Sequence, residues 1–220
     1  MKKLIKRIVS PLLKKASAIY LSKRRKYRYK DISVWVEPTV FPPFITISTK
    51  LLLEFLETLP LKGKTFLELG CGCGIISILA ARKEANVTAT DINEIALKSL
   101  KINAADNDVF IDILTSDLFA NLEGKTFDFI IINPPYYPKT PVSVAESAWF
   151  CGENFEYFER LFTALPYFSN PENEIYMILS DDCDLKKIKA MALKNDMALK
   201  LVSEKKVVSE KNYIFKLGKL

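Results

Sequence analysis

A glycine-rich turn between two different periodic patterns is the feature that most constrains the fold of this chain. The turn spans residues 70–74, with glycine at positions 70, 72 and 74. Residues 66–69 before it are apolar and β-favouring around the acid Glu68, and residues 75–82 after it are apolar with a helical period. A strand, a glycine turn and a helix in this order predict the start of a βαβ unit, whose helix N-terminus offers unpaired N–H groups to a ligand.

The spacing of these glycines differs from that of a dinucleotide-binding turn. Gly70 and Gly72 fit the first two positions of Gly-x-Gly-x-x-Gly, but the third position is Ile75. The pattern from Glu68 onward is Glu-x-Gly-x-Gly-x-Gly. Taken alone, it is equally compatible with a tight structural turn, so its interpretation depends on two later features.

The first of these features is an acid at the end of the next strand. Residues 86–91 are β-favouring and end on Asp91, 21 residues beyond Gly70. This spacing predicts that Asp91 lies at the carboxyl end of the second parallel strand, where a carboxylate can accept hydrogen bonds from both ribose hydroxyls. The alternative is an N-cap for a helix over 94–105.

The second feature is Asn133-Pro134-Pro135-Tyr136, which follows an apolar strand over 127–132. The turn resembles the fourth motif of methyltransferases that act on a planar nitrogen, such as a glutamine amide or a base amine. The glycine pattern likewise resembles the first motif of class I S-adenosylmethionine-dependent methyltransferases. A strand-terminating turn is the alternative interpretation of the Asn-Pro-Pro segment.

The resemblance implies that the turn after the fourth strand contains the groups that assist methyl transfer. The lone pair of a planar nitrogen is delocalised, on an energy scale of roughly 18–20 kcal/mol for an amide. The Asn133 side-chain oxygen and the Pro134 carbonyl can both accept hydrogens of one NH₂ group, and the prolines aim these acceptors in advance. Tyr136 can cover the planar group and stabilise the growing positive charge by about 0.5–2 kcal/mol.

The resemblance implies a Rossmann-like α/β fold with a seven-stranded, mainly parallel sheet, and S-adenosylmethionine as the cofactor. Backbone at Gly70 and Gly72 would line its methionine part, and Glu68 would reach its amino group. A third strand within 110–119 ends in Ser-Asp. The resemblance implies that Asp117 holds the exocyclic amine of the adenine and that Leu118 packs on the adenine ring. The cofactor-binding set is Glu68, Gly70, Gly72, Asp91, Asp117, Leu118 and Asn133.

The methyl acceptor divides the functional hypotheses. Residues 148–158 partly match the segment that follows Asn-Pro-Pro-Tyr in release-factor glutamine methyltransferases, which favours a protein glutamine amide. The alternative acceptor is an exocyclic base amine in RNA or DNA. A further alternative, from a different functional class, is a non-catalytic cofactor-binding module that interacts with RNA. Residues 40–49 resemble the stretch that lies over the cofactor in small-domain N-methyltransferases, although a proline-rich connector is an equal alternative.

Charge is distributed unevenly along the chain. Residues 1–30 contain 12 of the 32 Lys and Arg residues and none of the 26 acids, which leaves 20 basic against 26 acidic residues in 31–220. We therefore expect a basic N-terminal arm over 1–30 and a methyltransferase domain over 31–220. Residues 4–19 have the period of an amphipathic helix. The arm would dock on the domain, bind nucleic-acid phosphates or lie on an anionic membrane without stable insertion.

Composition excludes several kinds of chemistry. The chain has no histidine, so neither an imidazole base nor a histidine-containing zinc site is available, and no metal is expected. Four cysteines are too few for a disulfide scaffold and are expected to be reduced and to act as small apolar residues. No apolar run approaches 18 residues, so we expect a cytoplasmic protein.

Overall fold

The computed structural model describes residues 21–207 and 210–220. The helix predicted within residues 4–19 lies outside the described residues. The strands are β1 Arg25–Tyr29, β2 Ile32–Val36, β3 Thr65–Leu69, β4 Asn86–Asp91, β5 Asp112–Thr115, β6 Phe129–Ile132, β7 Glu174–Ser180, β8 Met197–Val207 and β9 Glu210–Lys219. The α-helices are α1 Ser48–Glu57, α2 Ile75–Arg82, α3 Glu94–Asp106, α4 Glu156–Ala164 and α5 Leu185–Lys194. Two 3₁₀ turns occupy Glu146–Ala148 and Leu165–Tyr167.

Seven strands form one sheet in the order β5-β4-β3-β6-β7-β9-β8. The pairs among β5, β4, β3, β6 and β7 are parallel, whereas β9 is antiparallel to both β7 and β8. This arrangement confirms the predicted mainly parallel seven-stranded α/β fold. The strand order reverses between β3 and β6, and ligands of open α/β sheets bind at such a point, beyond the carboxyl ends of the strands.

Helices cover both faces of this sheet, because alternate residues of each central strand point to opposite sides. In β6, Phe129 and Ile131 join a core with α1, α2 and α3, whereas Ile130 and Ile132 join a second core with α4 and α5. All four residues of β6 are buried. The carboxyl end of β6 is therefore held rigidly, and it is the end from which Asn133 follows.

β1 and β2 form a separate antiparallel hairpin, with Lys26 opposite Trp35. Tyr27 and Tyr29 pack on the core of the α1–α3 face. The boundary predicted at residues 30 and 31 falls in the turn of this hairpin. Residues 25–29 therefore belong to the folded body, because Tyr27 and Tyr29 on one side of the strand are half-buried against this core.

Asn103 of α3 and Asn107, the C-cap residue of α3, fasten β2 to the domain. The side-chain oxygen of Asn103 accepts a hydrogen bond from Trp35 N (2.8 Å), and its Nδ2 donates to Trp35 O (2.9 Å). Asn107 makes the same pair of contacts with Ser33, at 3.2 and 2.9 Å. The outer edge of β2 thus has hydrogen-bond partners from side chains in place of another strand.

The four cysteines are free thiols, as predicted, and all four are buried. Across the ranges 21–207 and 210–220, no helix is long and apolar enough to cross a membrane.

Candidate active site

A cavity of about 310 Å³ opens where β3, β4, β5 and β6 end. It brings together all the residues that the sequence assigned to cofactor binding or catalysis: Glu68, Gly70, Gly72, Asp91, Asp117, Leu118, Asn133, Pro134 and Tyr136. This convergence follows from the topology, since the carboxyl ends of parallel strands meet at one edge of the sheet.

The glycine turn is tied to β4 and to α3. Gly70 N and Cys71 N both donate to Thr90 O at 2.9 Å. Gly74 has a φ of +76°, and a Cβ on it would come within 2.0 Å of Leu100 Cδ1. The third glycine of the motif is therefore required for the left-handed backbone and for close packing against α3.

The carboxylate of Asp91 joins the glycine turn to the loop after β4. Its Oδ2 accepts a hydrogen bond from Gly72 N and its Oδ1 accepts one from Asn93 N, both at 2.9 Å. Burial raises the pKa of Asp91, although these N–H donors act in the opposite direction. The N-cap of α3 is Asn93, whose side chain accepts from Ile95 N (3.0 Å), so the interpretation of Asp91 as the helix cap is wrong.

Glu68 lies beneath the same turn and is 3% exposed. Its Oε2 accepts hydrogen bonds from the backbone N–H of Ser77 (2.9 Å) and from the Ser77 hydroxyl. Burial raises the pKa of Glu68 to about 8, against the opposing effect of the Ser77 contacts. Burial therefore favours the protonated form of this carboxyl group.

The loop after β5 supplies Asp117 and Leu118. Leu118 adopts a left-handed backbone with a φ of +50°. The Ser116 hydroxyl donates to Leu118 O (2.8 Å) and accepts from Asn121 N (3.0 Å), which locks the loop. Leu118 is thereby held at the cavity wall, where the sequence placed it.

The turn 133–136 is held by the segment that follows it. Tyr137 N donates to Trp149 O (3.1 Å), and Cys151 N donates to Tyr137 O (3.0 Å). Tyr136 is 9% exposed, its ring centroid lies 4.8 Å from that of Tyr137, and burial raises its pKa. The Asn133 and Pro134 acceptors thus sit on a backbone braced by β6 on one side and by residues 149–151 on the other.

Residues before α1 also line the cavity. Val40, Phe41 and Pro43 all contribute to its lining, and the Phe41 ring lies 4.8 Å from that of Trp149. Asn93 Nδ2 donates to Thr39 O (3.0 Å), which fixes this segment to the loop that carries Asp91.

The start of α4 provides cavity residues that the sequence motifs did not identify. Glu156, Tyr157 and Arg160 all line the cavity, at the spacing of one face of a helix. Burial raises the pKa of Tyr157, and the charges of Asp91 and Asp117 add to this effect. In the sequence, Glu156, Tyr157 and Arg160 belong to a helix with mixed polar and aromatic residues. The sequence motifs missed them because this pattern is also typical of an ordinary solvent-exposed helix face.

Residues 31–149 match the family described as the methyltransferase small domain. The chain belongs to this family. The match confirms the family that the glycine and Asn-Pro-Pro-Tyr motifs indicated. A Methanocaldococcus jannaschii protein named "putative protein N5-glutamine methyltransferase" is 43% identical over 110 residues, which cover 50% of this chain and 53% of that protein. Ribosomal RNA small subunit methyltransferase C of Pasteurella multocida is 35% identical over 56% of this chain and 37% of its own length.

The chain therefore spans about half or less of the curated relatives it matches. Solved structures with the same fold include the T. thermophilus 16S rRNA N2 G1207 methyltransferase in complex with AdoMet and guanosine, with a TM-score of 0.64, 19% identity and coverage of 88% of this chain and 50% of that chain. The E. cuniculi Mtq2–Trm112 complex also has a TM-score of 0.64, with 23% identity and coverage of 83% and 99%.

Proposed function

We propose that this small-domain family member transfers a methyl group from S-adenosylmethionine to a planar NH₂ nitrogen. The observation that carries the proposal is that Asn133-Pro134-Pro135-Tyr136 lines the same cavity as the buried carboxyl group of Glu68 and the half-buried carboxyl group of Asp91. One cavity thus offers acceptors for an NH₂ group and groups suited to a charged nucleoside.

The residues present fit this cofactor. Glu68 suits an ammonium group, and Asp91, which is fixed by two backbone N–H groups, suits ribose hydroxyls. Ile92 and Leu118 offer apolar side chains to an adenine ring, and Asp117 offers an acceptor to its amine. When bound, S-adenosylmethionine supplies a methyl group made electrophilic by the attached sulfonium.

The protein's part in the reaction is to localise the nitrogen lone pair. The side-chain oxygen of Asn133 and the carbonyl of Pro134 accept the two N–H hydrogens and draw the nitrogen out of conjugation. Alignment of the nitrogen with the methyl carbon contributes on the order of 7–11 kcal/mol in well-oriented systems. As the N–C bond forms and the C–S bond breaks, the nitrogen becomes acidic and loses its proton to water, so no strong base is required.

The favoured acceptor is the side-chain amide of a protein glutamine. The Methanocaldococcus relative, at 43% identity, is named for this chemistry. The E. cuniculi neighbour is described as responsible for methylation of the termination factor eRF1. Residues 148–158 carry the partial match to release-factor methyltransferases, and residues 148–152 of this segment line the cavity next to Tyr137.

A base amine in RNA is the second candidate, favoured by the charge of the hairpin. Lys26 and Arg28 lie on the exposed side of β1, and Arg24, which directly precedes β1, is also exposed. Arg24 Cζ and Lys26 Nζ lie 4.1 and 5.6 Å from the ring centroid of Trp35. This basic and aromatic face suits nucleic-acid phosphates and bases, and residues 1–20, which precede it in the sequence, are also rich in Lys and Arg.

Transfer of a labelled methyl group separates the candidates. The protein is incubated with methyl-labelled S-adenosylmethionine and a cell extract, and the product is divided between protease and nuclease treatment. Label released by protease supports glutamine, and label released by nuclease supports RNA. Cofactor binding with no transfer to either fraction contradicts catalysis and leaves the non-catalytic module.

A double variant that removes two positive charges tests the role of the β1–β2 hairpin in RNA binding. The double variant Lys26→Gln and Arg28→Gln should weaken RNA binding and lower its salt dependence by roughly 0.9 counterion per lost duplex phosphate contact. The matched control is Lys186→Gln with Lys194→Gln on α5, on the other face of the sheet. Equal RNA affinity of both double variants would remove the hairpin from the RNA hypothesis.

A further inference from the structure

Arg160 of α4 pairs with Asp117 at the cavity wall. Its Nη2 lies 2.5 Å from Asp117 Oδ2, and both side chains are about half exposed, at 57% and 53%. The two residues are separated by 43 positions and belong to different elements. Both line the cavity, so this contact crosses from the loop after β5 to the helix that follows residues 148–152.

An exposed ion pair contributes little to folding, commonly less than about 1 kcal/mol. A planar carboxylate with one oxygen held by a guanidinium, however, has its other oxygen aimed in a defined direction. Among residues 21–207 and 210–220, Asp117 Oδ1 has no hydrogen-bond or ion-pair partner. The backbone beneath it is fixed by the Ser116 hydroxyl bonds to Leu118 O and Asn121 N.

We propose that Arg160 is a positioning residue that orients Asp117 so that its second oxygen recognises the exocyclic amine of the purine. An amine at the exocyclic position of the purine donates a charge-assisted hydrogen bond to the Asp117 carboxylate. A carbonyl oxygen at the same position has no hydrogen to donate and is repelled by the carboxylate. Arg160 therefore sets the preference for adenine over hypoxanthine in the nucleoside part of the ligand. This inference rests on the proposed function, because it assumes that the cavity holds a purine nucleoside.

Binding of two related nucleosides tests the assignment. S-adenosylhomocysteine and S-inosylhomocysteine differ at one edge of the purine, where the exocyclic amine is replaced by a carbonyl oxygen and the neighbouring ring nitrogen N1 gains a hydrogen. Calorimetry should show that the native protein prefers the adenosyl compound by at least about 10-fold, the worth of one charge-assisted hydrogen bond. Arg160→Met should reduce this preference to about threefold or less, mainly through weaker adenosyl binding. Arg160→Lys, which keeps one cationic donor, should restore part of the preference.

The matched control is Lys125→Met. Lys125 pairs with Asp112 at 3.1 Å, with similar exposure, at the other end of the same strand β5. Lys125→Met should leave the affinities for S-adenosylhomocysteine and S-inosylhomocysteine unchanged. If Arg160 were only structural, Arg160→Met would weaken both compounds equally and leave their ratio at the native value, which would overturn the proposal.

The outcome also distinguishes this inference from the proposed function. A native protein that binds neither compound would contradict both. A native protein that binds the adenosyl compound, while Arg160→Met keeps the full preference or increases it, would contradict the positioning role alone and leave the methyl-transfer proposal intact.

Discussion

Replacing Glu68 by glutamine should make the stability of the protein less dependent on pH. Glu68 is 3% exposed, and burial raises the pKa of its carboxyl group to about 8. An exposed glutamate in the unfolded chain titrates near about 4.3. Between these two values the folded protein binds one proton more than the unfolded chain at this position.

The sign of the effect follows from this difference. The stability associated with the protonated group is fully present below the unfolded pKa and is lost as pH rises through the folded pKa. One extra bound proton lowers the unfolding free energy by about 1.4 kcal/mol per pH unit. From pH 5 to pH 8 the loss is on the order of 4 kcal/mol for this group.

Urea unfolding at pH 5, 6, 7 and 8 measures this contribution. The quantity to compare is the unfolding free energy of the native protein minus that of Glu68→Gln, because Asp91 and the surface carboxylates are present in both and largely cancel. The difference should fall steadily with rising pH. A difference that is the same at pH 5 and pH 8 would refute the assignment of Glu68 as a buried, protonated carboxyl group.

Three further predictions concern the same cavity. Affinity for S-adenosylhomocysteine should rise from pH 6 to pH 8, because the ammonium group of the ligand favours the ionised form of Glu68. Calorimetry should then detect proton release on binding. An affinity that does not change with pH would contradict the pairing of this ammonium with Glu68. Asp91→Ala should weaken that binding by about 1–3 kcal/mol in the same assay, and unchanged affinity would remove its ribose role. Gly74→Ala should lower the unfolding free energy by about 2–5 kcal/mol, through backbone strain and collision with Leu100. Gly63→Ala, with a φ of +71° and open space, should cost only about 1–2 kcal/mol in the same urea titration; equal losses would contradict the packing argument.

The sequence was informative where local pattern and topology coincide. An acid that ends a β-favouring run, such as Asp91, must lie beside the glycine turn if the two strands are parallel neighbours, and the register of β3 and β4 shows that they are. The same reasoning placed Asn133 at the end of β6. These positions follow from strand order alone and require no knowledge of side-chain contacts.

Contacts distant in sequence could not be predicted in the same way. The pairing of Arg160 with Asp117 depends on how α4 packs across the sheet edge, which no local pattern encodes. The strand nature of residues 25–29 was hidden because basic residues that alternate with tyrosines are equally typical of a nucleic-acid-binding arm. The requirement for Gly74 comes from Leu100 of a different helix.

The central claim is that Asn133 localises the lone pair of a planar nitrogen for methyl transfer. The most direct measurement is the single-turnover rate of Asn133→Ala with the acceptor that takes up label, together with its affinity for S-adenosylhomocysteine. We predict that the rate falls by at least about 100-fold while the affinity stays within about threefold, as expected for a contact made in the transition state. Asn86→Ala, at an exposed site away from the cavity, should keep the native rate. A near-native rate in folded Asn133→Ala would contradict the account.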